Sequence, residues 1–380
     1  MLQVAFVNEN TLGHRSYLLP FVQTLRAKPD HGIVPHWIDA TPLPPDLKRY
    51  GEFSVKLLRR WGLDWGPTRW RSAASRHVQR QLQALYCETR LDAVVINTQS
   101  VALELMHWWD HPPLFVCLDA TFAQLARSPW FANGRIGRLA APITLAGLRR
   151  RERELFREVT MFLPWSEAAA DSLRMEYRIP AKRIQTLPPS VSLGSKEAWR
   201  AGHSRKSILF VGGDFKRKGG PLLVEAFLQY LRGDFELDIV TQSPIESAPD
   251  IRVHRGISAG SPAWHALWQE ADVFVFPSSL ETFGIVLLEA LAFRVPAVSS
   301  PCGAAREILD NGAAGLLLDE MTPVAVAEAV RQVFTDEEAT AHRVDRGANR
   351  VAHRYCLEQN TARLAESLRS VLDQKTACVS

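Results

Sequence analysis

Asp272-Val273-Phe274-Val275-Phe276-Pro277-Ser278-Ser279-Leu280-Glu281-Thr282-Phe283-Gly284-Ile285-Val286-Leu287-Leu288-Glu289-Ala290-Leu291-Ala292 is the stretch whose reading decides the fold. Four apolar residues, Val273 to Phe276, stop at a proline, as a short buried strand does. A polar loop carries Glu281, and a strongly apolar helix is expected to start near Phe283. Such a loop falls at the C-terminal end of a strand, where open parallel sheets bind ligands. A helix start offers unpaired backbone amides and the positive end of the helix dipole, which suits phosphate. Gly284 permits close approach to the backbone there.

Glu289 is out of character with Ile-Val-Leu-Leu-Glu-Ala-Leu-Ala around it. A buried carboxylate is costly unless something hydrogen-bonds it. Two readings fit: ribose or sugar hydroxyls meet it, or it is a partly exposed helix acid while Glu281 pairs with a nearby arginine.

The same alternation extends outward. Apolar runs at Val4–Asn8, Ile33–Ile38, Ala93–Asn97, Leu114–Leu118 and Thr160–Pro164 read as strands of a first half. Those at Ile208–Val211, Leu237–Val240, Val273–Phe276, Ala297–Ser299 and Gly315–Leu318 read as strands of a second. Helical periods lie between them, as in Leu222-Leu223, Ala226-Phe227 and Tyr230-Leu231. The fold class is therefore α/β, parallel sheets with helices on both faces. The chain softens at Leu187–Ser207, rich in Pro, Ser and Gly, which reads as a linker. The expected domains are 1–187 and 188–352, with a tail 353–380 whose helix, about Leu357–Leu372, could pack back on the first.

With 380 residues the chain suits two domains. It is 46% hydrophobic and 23% charged, which is ordinary for a folded protein. Five scattered cysteines without a C-x-x-C pair suggest neither a disulfide framework nor a zinc site, so no metal is expected. A reducing cytoplasm fits best. The apolar run at Met1–Val7 is too short for a secretory leader, and none reaches the roughly 18 residues of a membrane span. A net charge of +4 does not by itself imply nucleic acid, and no nucleic-acid module accompanies the basic residues.

After the strand at Ile208–Val211 comes Gly212-Gly213-Asp214-Phe215-Lys216-Arg217-Lys218-Gly219-Gly220. Glycines and cations where a strand hands over to a helix suit phosphate, although a solvated basic turn has the same composition.

Here the residues reach a family. The run Pro277-Ser278, Glu281, Phe283-Gly284, Glu289-Ala290 resembles the E-x7-E signature of family 4 glycosyltransferases of the GT-B fold. Val211-Gly212-Gly213 with Arg217-Lys218-Gly219 is similar to that family's diphosphate loop. Pro296-Ala297-Val298, Gly303, Glu307-Ile308, Asn311-Gly312 and Gly315-Leu316-Leu317 follow in family order. Upstream, Pro164-Trp165-Ser166-Glu167, Ile179-Pro180, Arg183-Ile184 and Pro188-Pro189 do the same.

The resemblance implies two Rossmann-like domains facing across a cleft and a retaining transfer from a nucleotide-diphosphate sugar. It implies that Glu281 holds donor-sugar hydroxyls and Glu289 the ribose. Lys218 and the amides of Thr282, Phe283, Gly284 and Ile285 would hold the diphosphate, with Gly212, Gly213 and Arg217 in the same loop. The base would rest near His254-Arg255-Gly256, where a strand ends. The family's Arg after the first glycine is missing here, and Lys216 or Arg217 are candidate substitutes. No cofactor is implied beyond the donor substrate itself.

In the first half, Gly13 lies in a polar loop that related enzymes place against donor phosphate and acceptor; His14 beside it reads as a cap or surface residue. Asp119 ends a strand where many relatives carry His. It would orient an acceptor hydroxyl or cap the next helix. The expected acceptor is a saccharide or a lipid-linked glycan. Cations and Trp from Lys56 to Arg80 suit either a solvated face or peripheral contact with the inner face of a membrane. A nucleotide-sugar epimerase and a degenerate nucleotide-sugar-binding protein are the rival readings.

Overall fold

The computed structural model describes residues 1–10, 14–53, 66–108, 111–127, 134–191, 193–194 and 206–379. The chain divides into two compact units, Met1–Pro189 with Leu357–Ser380, and Ser190–Cys356.

The first unit is built on β1 (Leu2–Asn8), β2 (Ile33–Asp39), β3 (Ala93–Asn97), β4 (Leu114–Leu118) and β5 (Met161–Pro164). All pair in parallel, in the order β2-β1-β3-β4-β5. Val4 to Val7, all of Ala93–Asn97 and all of Leu114–Leu118 are buried. A strand covered on both faces by helices needs such continuous apolar runs, which is why these five were visible in sequence. The covering helices are α1 (His14–Ala27), α2 (Pro45–Glu52), α3 (Gly66–Glu88), α4 (Phe122–Arg127), α5 (Gly134–Glu158) and α6 (Glu167–Glu176). Ser166 caps α6 by accepting from the Ala169 amide at 3.2 Å. The C-terminal helix Leu357–Val379 packs on this unit against α1, and Ser367 Oγ donates to Gln185 Oε1 at 2.5 Å.

Register decides which side chains meet. Asn8 is level with Asn97, Asn97 with Cys117, and Leu118 with Pro164. The residues just past the strand ends line the C-terminal edge, Glu9 and Thr98 at the level of Leu118 and Pro164, and Asp119 and Trp165 one residue further on. Backbone bonds hold this edge: Glu9 N to Asn97 O, 2.7 Å, and Trp165 N to Leu118 O, 2.9 Å. The strand order reverses between β1 and β3, so successive crossovers diverge there and open the edge.

The second unit contains β6 (Lys206–Val211), β7 (Phe235–Val240), β8 (Ile251–His254), β9 (Val273–Phe276), β10 (Ala297–Ser299) and β11 (Leu316–Leu317). They too run parallel, in the order β11-β10-β9-β6-β7-β8. The reversal lies between β6 and β9, so the glycine-rich loop and the Glu281 loop emerge side by side. The helices are α7 (Gly220–Ala226), α8 (Pro262–Glu270), α9 (Ile285–Ala292), α10 (Ala305–Ile308), α11 (Pro323–Thr335) and α12 (Glu337–Arg354). The helical period read at Leu222–Leu231 continues past α7 as a π-helical turn, Phe227–Leu231.

Two expectations shift. β8 is a strand that was not among the ten runs, because Ile251 and Val253 are its only apolar residues. The helix expected near Phe283 starts at Ile285, because Gly284 takes a left-handed conformation, φ +96°, that no helix continues through.

Candidate functional site

In the second unit two loops close on one another at the β6/β9 reversal. Arg217 joins them. Its carbonyl accepts from the Ser279 amide (3.0 Å) and from the hydroxyls of Ser278 (3.3 Å) and Ser279 (2.9 Å). Its guanidinium donates to Leu280 O at 2.8 Å and to Asp214 at 3.3 Å. Arg217 is thereby committed to bracing the loops, whereas Lys216 is exposed. Gly219 has φ +82°, and a Cβ there would stand 1.8 Å from Pro277 O, so only glycine admits this approach.

The bracing sets the charged pair. Lys218 Nζ bonds Glu281 Oε2, and the ammonium sits 4.9 Å from the centre of the Phe276 ring. Both side chains are largely buried, 16% and 11% exposed. The other Glu281 oxygen accepts from the Thr282 amide at 3.1 Å, so that amide is engaged within its own loop. Gly212 is buried and donates to Val240 O, while Gly213 lies open with its carbonyl accepting from Thr241 and Ser243. Phe283 is buried and anchors the loop. Gly284 and Ile285 open α9 with no side-chain cap on its first turn, which leaves amides facing outward from the helix end.

Glu289, one turn into α9, is the exception to this pairing. Among the described residues its carboxyl has no hydrogen-bond or ion-pair partner, and burial pushes its pKa up to about 8. The residues on either side in the helix, Leu288 and Ala290, are fully enclosed.

Arg255 and Gly256 follow β8, the edge strand, with β7 between it and β6. Both are exposed, and the Arg255 guanidinium turns to Ile245 O. The structure does not bring them to the Lys218–Glu281 pair. Their neighbour His254 instead bonds the buried Asp238 at 2.6 Å, alongside Arg252.

Gly13 lies outside the described residues. Asp119 in the first unit does not stand alone. His14 Nε2 is 3.5 Å from Asp119 Oδ2, and His14 Nδ1 is 3.5 Å from Glu9 Oε2. Glu9 also accepts from Thr98 Oγ1 at 2.8 Å. Asp119 Oδ1 accepts from the Ala120 amide at 2.9 Å. That turn is tethered by Gln99, whose Nε2 donates to Ala120 O (2.8 Å) and to Glu152 (3.1 Å). Burial alone would lower the His14 pKa; the hydrogen bonds and charge of Asp119 and Glu9 outweigh it and push it up to about 10. His14, read from sequence as a cap or surface residue, is buried. The signal that could have exposed it is positional: Glu9, Thr98 and Asp119 each stand just after an apolar strand.

The described cations between residues 66 and 80 are taken up internally. Arg71 lies over Phe122 and reaches Ser100 at 3.4 Å, Arg76 lies over Tyr50, and Arg80 pairs with Asp46 at 3.2 Å. The expected stretch 56–65 lies outside the described residues except for its C-terminal continuation. Among the described residues no helix is long and apolar enough to cross a membrane. None of their His, Cys, Asp and Glu side chains gather in a group of three that could hold a metal.

Two parallel α/β units, each with a polar site where its strand order reverses, define the class: nucleotide-type domains of the GT-B kind. Residues 205–336 match the family described as Glycosyl transferases group 1. D-inositol 3-phosphate glycosyltransferase of Paenarthrobacter aurescens (strain TC1) is 29% identical over 196 residues, 44% of this chain and 47% of that protein. The chain thus spans about half the length of this curated relative. Among solved structures, sucrose-phosphate synthase from Thermosynechococcus elongatus superposes with a TM-score of 0.70 at 15% identity, covering 98% of this chain and 100% of that one. A glycosyltransferase from Rickettsia africae ESF-5 gives 0.66 at 13% identity, covering 98% of each. The match over residues 205–336 and the shared architecture support a group 1, family 4-type glycosyltransferase of the GT-B fold.

Proposed function

We propose that the protein transfers a hexose-type sugar from a nucleotide-diphosphate sugar to an acceptor hydroxyl on a saccharide or lipid-linked glycan, with retention at the anomeric carbon. The observation that carries this reading is the half-buried Glu289 one turn into α9, without a protein partner among the described residues, beside loops that hold Lys218 against Glu281. A carboxyl without a protein partner is relieved by the paired hydroxyls of a ribose. Lys218 and the start of α9 supply positive potential for the diphosphate, which gains charge as the glycosidic bond to phosphate breaks. Glu281, oriented by Lys218 and the Thr282 amide, accepts from hydroxyls of the donor sugar. The acceptor attacks from the face the diphosphate leaves. Asp119 of the first unit offers a hydrogen-bond acceptor suited to an acceptor hydroxyl. The diphosphate's charge is met by the chain's own groups, so the reading calls for no metal or cofactor.

A thermal-shift screen against UDP, GDP, ADP and their sugars tests it, because a ligand that binds only the native state raises the melting temperature. One nucleotide series should raise it in the wild type. Lys218→Ala and Glu289→Ala should each abolish the rise, and release of nucleoside diphosphate with acceptor present should fall about 10²–10³-fold in Lys218→Ala. Wild-type shifts in both variants would overturn the assignment.

A further inference from the structure

We propose that His14 is a positioning residue for transfer: paired with Glu9 on one side and Asp119 on the other, it fixes Asp119 as the hydrogen-bond acceptor for a hydroxyl of the acceptor. This rests on the transferase reading above.

The geometry is assembled by topology. Glu9 follows β1 and Thr98 follows β3 at one level, and Asp119 follows β4 one residue further on, along the edge where strand order reverses. His14, the first residue of α1, reaches that edge from outside the sheet. Its imidazole stands edge-on to Trp165, ring centres 5.5 Å apart, and Trp165 is itself stacked on Tyr17 at 4.4 Å. Its carbonyl accepts from Asn97 Nδ2 at 3.0 Å. Ring and backbone are therefore both held.

The pairing answers an electrostatic need. Two carboxylates flanking one ring would repel each other in a site with little water, and a cation between them removes that cost. Glu9 and His14 are spent inside the group, 6% and 11% exposed. Asp119 is the most open member, 16% exposed, and among the described residues two of its roughly four acceptor positions are used, by His14 and the Ala120 amide. A group of two carboxylates and one imidazolium carries net negative charge. Arg71, from α3, acts on Glu9 and Glu152 and offsets that negative charge. The open oxygen positions of Asp119 accept from hydroxyls.

The relay moves no proton through His14. At the reacting centre the sugar C1–phosphate oxygen bond breaks as the C1–acceptor oxygen bond forms, and the acceptor proton leaves on the nucleoside diphosphate. Asp119 aligns the hydroxyl, and His14 aligns Asp119.

Kinetics with a donor and acceptor that support transfer test this, together with 15N-histidine NMR of the wild type. His14→Gln should lower acceptor kcat/KM at least tenfold while nucleotide affinity, measured by titration, changes less than twofold. His14→Gln/Asp119→Asn should be no worse than Asp119→Asn alone, since the two act as a unit. The NMR arm should find an imidazole still protonated at pH 9, and Glu9→Gln or Asp119→Asn should return its titration toward 6.5. A wild type that transfers no sugar sinks the transferase reading. Unchanged acceptor kinetics in His14→Gln, equal loss of donor and acceptor terms, additive losses, or no imidazole protonated at pH 9 sink the positioning role alone. The NMR arm decides even if His14→Gln fails to fold.

Discussion

The two units place acids at the same topological position and treat them oppositely. In the first, Glu9 and Asp119 share His14, Thr98 and the Ala120 amide, so every carboxylate has protein partners. In the second, Glu281 is bound to Lys218, but Glu289 is left with none among the described residues. An acid whose partners are built in is ready to orient something without changing its own state. One left without partners raises the energy of the empty protein, and a ligand that hydrogen-bonds it removes that penalty. The contrast separates a positioning site from a binding site without reference to sequence identity.

The largest test of that contrast is His14→Gln. Removing the cation leaves the buried Glu9 and the half-buried Asp119 without their shared counter-charge, at a cost of about 3 kcal/mol. The wild-type contribution is fully present below pH 6.5 and is lost as pH rises through about 10. The variant's melting temperature should therefore lie well below wild type at pH 6 and approach it near pH 10. A constant gap across that range would show that His14 carries no charge.

Glu289→Gln should act with the opposite sign. Between pH 4.5 and about 8 the unfolded chain has released a proton that folded Glu289 keeps, so wild-type stability falls as pH rises across that window. The variant should match wild type near pH 4.5 and exceed it at pH 8, by about 1–2 kcal/mol, while losing nucleotide affinity. Greater stability at pH 8 without weaker binding would remove the ribose from Glu289.

Gly284→Ala probes the helix start beside it. No atom crowds the added Cβ closer than 3.5 Å, so the left-handed φ alone costs about 1–2 kcal/mol. Calorimetry should show a modest drop in melting temperature. At the bottom of the scale, Arg80→Ala breaks a pair with both side chains 61% exposed. No resolvable change in melting temperature is expected.

Much of this was legible in sequence, for identifiable reasons. Strands buried on both faces write themselves as unbroken apolar runs, so the α/β class followed directly. Edge strand β8 did not, because alternation of Arg252 and His254 with two aliphatic residues leaves no run. Glu289 was conspicuous because it interrupts a greasy helix. His14 was not, because its meaning comes from Glu9 and from Asp119, 105 residues away, which only the sheet register brings together. Nor could composition tell that Arg217 would spend its guanidinium on Leu280 O while Lys218 kept an acid for company.

The seam between the glycine-rich loop and the Glu281 loop has a practical corollary. Three bonds to the Arg217 carbonyl, the guanidinium on Leu280 O and the contact that only Gly219 allows make residues 212–220 and 277–284 a single mechanical piece. Anyone exchanging donor preference with a relative by grafting would have to move both segments as one cassette. Swapping either alone would leave a mismatched half whose lysine and glutamate no longer meet.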